Sequence, residues 1–283
     1  MKKRLRLEYL NKDKPNPEEE GMEAAGVDVI DVVSGGSRLY GSVLLPDGSY
    51  ESSRPCVILF HGFPGTARND DYAQALRRCG CVVLTPHNRG AWGSEGKYLI
   101  SHCVEDAVAI AEWVRSPEIC KKWKVDPNSI FLCGHSMGGN TVFQSGRQLP
   151  WIRGIIMMTP FDPSYYLLHG MEDTFRGLLT DGEILHSDGL EAIYNDADAH
   201  KEAYCYPEAF EEVKDRNLCI IDGAYDDIAP GKLMVMPLWN RLKVHQTTAV
   251  QKHKTFDCEH YMCNVRFQVV TYIGEFIKEV LGE

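Results

Sequence analysis

Apolar residues along this chain gather in short unbroken runs, separated by longer segments in which they recur every three or four positions. The runs at 56–60, 81–84, 129–133, 152–158 and 218–221 have the length of strands buried on both faces. Between them, helical spacing is read at about 68–79, 104–115, 137–147, 232–242 and 265–280; in the second of these, Val104, Val108, Ala111 and Trp113 carry the pattern. A further strand is expected near 247–252. Before the first buried run, 27–33 and 38–45 flank Ser34-Gly35-Gly36 and read as an antiparallel hairpin.

Continuous apolar strands alternating with helices imply an α/β fold, a mostly parallel sheet with helices on both faces. The rhythm breaks over 161–215, a helix-like, acidic stretch rich in aromatics (Tyr165, Tyr166, Phe175, Tyr194, Tyr204, Tyr206, Phe210). It reads as a cap inserted over the sheet, so the core comprises 27–160 and 216–283. Residues 1–26 form an N-terminal arm. Its first 21 or so are charged, carry Pro15 and Pro17, and are expected to be loose.

Composition narrows the classes. With 283 residues, 44% hydrophobic and 25% charged, the chain can bury a core that needs neither disulfides nor metal. A net charge of −10 argues against nucleic acid or an anionic membrane as partner. The ten cysteines show no secreted framework, and Cys56, Cys133 and Cys219 lie inside apolar runs. The basic start leads into charged sequence rather than an apolar core, and no run approaches membrane-spanning length. A reduced, cytoplasmic protein is expected.

Candidate chemistry centres on Gly134-His135-Ser136-Met137-Gly138, placed between a buried run and a helical one. A serine on a sharp strand-to-helix turn projects its hydroxyl above the sheet, and the next N–H, that of Met137, points to the reacting carbonyl at a helix N-terminus. Such a hydroxyl needs a base, and the base an orienting acid, in the chain order nucleophile, acid, base. The acid is sought in Asp222-Gly223-Ala224-Tyr225-Asp226-Asp227, where Asp222 still belongs to the strand and spacing leaves Asp226 and Asp227 open. His260, in the loop before the last helix, is the expected base. His245 and His253 fall at a helix end and in a strand, where a surface or packing role is the default. A second oxyanion donor is expected from His61-Gly62-Phe63-Pro64-Gly65, namely Phe63 N–H, paired with Met137 N–H.

Other motifs carry less. The loop Asn88 to Gly96 lacks the G-K-[ST] ending of a phosphate cradle; Arg89 is expected to brace neighbouring loops and Trp92 to face the pocket. Cys258, His260 and Cys263 match no zinc spacing. No cofactor and no metal are expected.

With these residues placed, the chain resembles the α/β-hydrolase superfamily from about residue 27 onward. It is most similar to bacterial esterases related to the serine aminopeptidase and dienelactone hydrolase branches, including cinnamoyl esterase-like proteins. The resemblance rests on 61–65, Arg89-Gly90 with Gly93-Ser94-Glu95-Gly96, 134–139, Gly223 to Asp226 with Pro230, and His260. It implies an eight-stranded-type sheet with a cap over the acyl and alcohol pockets. It also selects Asp226, three residues after the glycine and four before the proline. One departure is His87, where that family often has an aspartate two residues before Arg-Gly. The expected activity is hydrolysis of a small-molecule carboxylic ester by Ser136, His260 and Asp226. The rivals are an aminopeptidase using cap carboxylates (Glu172, Asp173, Asp181, Glu183), an acyltransferase, and a non-catalytic binding protein.

Overall fold

A computed structural model describes residues 2–283. Eight strands form one sheet in the order β1-β2-β4-β3-β5-β6-β7-β8. They are β1 Gly26–Ser34, β2 Ser37–Leu45, β3 Arg54–Phe60, β4 Val82–Pro86, β5 Val125–His135, β6 Gly154–Met158, β7 Leu218–Gly223 and β8 Gln251–Phe256. β1 and β2 are the expected hairpin and β2 meets β4 antiparallel; every later pairing is parallel. β3 and β6 are buried at every position, as unbroken apolar runs require.

The helices are α1 Asp70–Arg78, α2 Ile100–Arg115, α3 Pro117–Trp123, α4 Met137–Gln148, α5 Pro163–Leu168, α6 Glu172–Leu179, α7 Leu190–Tyr204, α8 Phe210–Val213, α9 Gly231–Met234, α10 Met236–Leu242 and α11 Arg266–Leu281. Alternate strand residues feed two cores. One face joins Ile58, Leu132 and Ile220 to α2, α3, α4, α9 and α10; the other joins Val57, Cys133 and Ile221 to α1 and α11. α5 to α8 lie between β6 and β7, and Phe175, Leu179 and Ile193 of these helices, with Tyr206 in the turn after α7, belong to the first of these cores. No helix among the described residues is long and apolar enough to cross a membrane. All ten cysteines are free thiols.

Four expectations need correction. The N-terminal arm is docked rather than loose: Leu5 and Leu10 are buried against α1 and α11, and Arg4 bonds Asp126 and Ser129, each at 2.9 Å. Its charged composition conceals two anchoring leucines. The helix expected at 232–242 is two, because Pro237 has no N–H to continue the ladder and Val235 intervenes. The last strand lies at Gln251–Phe256 rather than 247–252, since its mixed polar residues at the sheet edge give little apolar signal. α3 was not expected; Ser116 caps it, Pro117 opens it, and it buries Ile119 and Trp123.

Candidate active site

The turn from β5 into α4 forces Ser136 to φ 57° and ψ −120°, a conformation side chains rarely adopt. Glycine on both sides permits it: a Cβ on Gly134 would run into the Gly138 carbonyl, and one on Gly138 would meet the carbonyls of Phe60 and His61. The strain is held by Ser136 N–H donating to Met158 at 2.9 Å and Phe161 N–H donating to the Ser136 carbonyl at 3.0 Å. Ser136 thus stands above the C-terminal ends of the central strands, 7% exposed.

Loops after β7 and β8 bring two further groups to it. His260 Nε2 lies 2.8 Å from Ser136 Oγ, and its Nδ1 lies 2.8 Å from Asp226 Oδ2. A carboxylate only accepts, so Nδ1 carries the imidazole proton and Nε2 is left to accept from the serine hydroxyl. The other oxygen of Asp226 accepts from Ile228 N–H at 3.0 Å and Ala229 N–H at 2.7 Å. Asp226 and His260 are both buried. Asp227 is exposed, His245 is bonded to Asp215, and His253 to Asp222.

Two residues that sequence reasoning passed over fix the imidazole from behind. The main-chain carbonyl of His260 accepts from Thr159 Oγ1 at 2.9 Å and from His135 Nε2 at 3.0 Å. Burial, with the neighbouring His260 adding to it, pushes His135 down to about 3, so it serves as a neutral donor. Position 135 is the variable residue of the serine motif, which is why the pattern gave no cue. Burial likewise holds His61 below the usual histidine range and His87 at about 4, and their rings lie 5.7 Å apart.

Phe63 and Met137 both border Ser136, and neither backbone N–H has an acceptor among the described residues. The Phe63 ring packs beside Tyr98 and directly against Gly182, where any Cβ would collide with it. Trp92 does not line the pocket. Its Nε1–H instead donates to the Pro64 carbonyl at 2.9 Å and so buttresses the same loop. Arg89 braces its loop against α2, bonding the buried Asp106 through side chain and main chain, each at 2.7 Å.

The pocket over Ser136 holds about 60 Å³ and is walled by Phe63, Phe161, Phe175, Leu178, Leu179 and Ile228. Of the inserted segment's aromatics Phe161, at its start, and Phe175 reach it, and of the four carboxylates considered there Asp181 does. A nucleophile-type hydroxyl, an oriented imidazole and two N–H groups with no acceptor among the described residues therefore converge on one apolar space, an arrangement able to support acyl transfer.

Comparison with known proteins agrees with this architecture. Residues 51–166 match the model of the serine aminopeptidase S33 family. Over 104 residues the chain is 29% identical to the zebrafish (Danio rerio) lysophosphatidylserine lipase ABHD12, a match that spans 36% of this chain and 25% of that protein. The chain thus covers only a quarter of that relative's length. An esterase of Pyrococcus furiosus superposes with a TM-score of 0.64 at 18% identity over 90% of this chain and 91% of its own. A Butyrivibrio proteoclasticus esterase with ferulic acid bound gives 0.65 at 16% identity, covering 90% and 100%. Likenesses at such identity establish the fold, and the fold is that of the α/β-hydrolases.

Proposed function

We propose that this α/β-hydrolase-fold chain is a serine hydrolase that cleaves a carboxylic ester through an acyl-enzyme on Ser136. The observation that carries the reading is the unbroken line Asp226, His260, Ser136, with 2.8 Å at each step, ending beside two N–H groups that have no acceptor among the described residues.

Ser136 Oγ attacks the ester carbonyl carbon while His260 Nε2 takes its proton. The carbonyl oxygen becomes an oxyanion held by Phe63 N–H and Met137 N–H, and Asp226 stabilises the imidazolium. Collapse breaks the bond to the alcohol oxygen, which receives the proton from Nε2. Water then attacks the acyl-enzyme, giving its proton to Nε2, and the second collapse returns a proton to Ser136 and frees the acid. Nothing in this sequence requires a metal or cofactor.

The apolar walls suit an apolar or aromatic acyl group, in keeping with the ferulic acid and lipid named for two of the similar proteins. A second reading, cleavage of an aminoacyl amide, has one feature in its favour: Asp181 at the pocket, able to receive a free amine. Initial rates on p-nitrophenyl esters of graded acyl length and on aminoacyl p-nitroanilides separate the two. Ester cleavage with inert anilides is expected, and anilide cleavage equal to or faster than ester cleavage contradicts it.

A further inference from the structure

The last two strands carry a second aspartate–histidine pair that the proposed reaction does not use. In register, Ile220 of β7 stands beside His253 of β8, and Asp222 beside Thr255, so these side chains share the face covered by α9 and α10. His253 Nε2 lies 3.1 Å from Asp222 Oδ2, and Trp239 packs on the imidazole with ring centroids 5.3 Å apart. Asp222 is 3% exposed, and its second oxygen, Oδ1, is buried with no partner among the described residues. A carboxylate oxygen in that condition is costly unless something donates to it.

Three features indicate what does. Asp222 and His253 form part of the wall of a cleft of about 480 Å³ at the C-terminal ends of the strands, eight times the volume over Ser136. Ligands of open α/β sheets bind at that end of the strands. At position 231 a Cβ would strike Asp222 Oδ2, the oxygen that faces His253, so only glycine leaves room beside the carboxylate. The remaining wall combines apolar Ala224, Pro230 and Met236 with Thr255, a second carboxylate, Asp226, and Lys232, which is exposed. An ammonium group fits Asp222, a short apolar body fits the wall, and a carboxylate fits the lysine.

We infer that this cleft is a binding site for a small apolar amino acid, its ammonium on Asp222 and its carboxylate directed to Lys232. The cleft shares Asp226 with the relay but includes neither Ser136 nor His260, and its occupation requires no reaction at the serine.

Titration calorimetry on the whole chain tests it with L-leucine, isoamylamine and isovalerate. Leucine is expected to bind most tightly, isoamylamine more weakly, and isovalerate not at all. Asp222→Asn should weaken leucine about ten- to hundredfold, the loss expected for a charge-assisted hydrogen bond. Lys232→Met should weaken leucine and leave isoamylamine unchanged. If Asp222→Asn unfolds, Ala224→Trp fills the cleft from its exposed side without touching the pair, and it should abolish leucine binding. Leucine failing to bind the wild type overturns the inference. So does leucine binding undiminished by Ala224→Trp, isovalerate binding as well as leucine, or zinc binding in place of leucine.

Discussion

Two aspartate–histidine pairs sit at the same end of the same sheet, each with its aspartate on β7 or just after it and its histidine on β8 or just after it. Asp226 and His260 belong to the loops, Asp222 and His253 to the strands themselves. In the loop pair both carboxylate oxygens are satisfied, and the imidazole's far nitrogen meets Ser136. In the strand pair one carboxylate oxygen has no partner among the described residues, and the imidazole packs against Trp239. Under the proposed function and the inference above, the same two residue types serve as an acid–base relay in one place and a binding wall in the other. The difference lies in the third group each reaches and in which oxygens the backbone satisfies.

The comparison breaks most visibly under matched substitutions. Asp226→Asn should lower ester kcat/KM by about four orders of magnitude, because it no longer holds the imidazole in the useful tautomer. Asp222→Asn should cost no more than about tenfold in the same assay. Equal losses would mean that the two pairs act together.

A smaller effect is expected from the loop that carries Phe63. Gly182→Val places a side chain against the Phe63 ring and should displace its N–H, lowering kcat by about ten- to a hundredfold while stability measured by urea unfolding changes little. An unchanged kcat would remove Phe63 N–H from the oxyanion assignment.

Thr159→Val deletes one of the two bonds to the His260 carbonyl while keeping shape. It should lower kcat about fivefold, the effect of one ordinary hydrogen bond, and leave KM unchanged. A fall in KM-governed binding alone would assign Thr159 to the substrate pocket.

The gentlest test uses pH. His135, at about 3 when folded against an ordinary value near 6.5, stays neutral in the fold while the unfolded chain takes up a proton. The unfolded state then binds more protons between these values, so this residue's stabilisation is full above about pH 6.5 and is lost as pH falls toward 3. In His135→Gln the slope of unfolding free energy against pH over that range should drop by up to about 1.4 kcal/mol per pH unit. Parallel slopes would contradict the neutral assignment.

Much of this was legible along the chain, for definite reasons. The serine turn announces itself because strand, glycines and helix must all be local, and chain order then leads to His260 and the 226–227 carboxylates. The strand pair was not legible: Asp222 and His253 are 31 residues apart, and nothing local distinguishes either from an ordinary strand position. Trp92 reads as a pocket residue by position, yet its indole turns to the Pro64 carbonyl, a contact between separate loops. Leu5 and Leu10 are hidden by the charge around them, and the edge strand β8 by its polar residues. What depends on one segment's pattern, or on a fixed chain order as for residues 226 and 260, could be read; contacts between segments that leave no such mark could not.

The central claim is that Ser136 carries the acyl group between the two halves of the reaction. Intact-mass analysis after rapid mixing with p-nitrophenyl butyrate and acid quench, followed by peptide mapping, tests it directly. The account predicts a butyryl adduct on the peptide containing Ser136, absent in Ser136→Ala, which should also lose ester hydrolysis. Hydrolysis persisting in Ser136→Ala, or an adduct mapping to another residue, would contradict it.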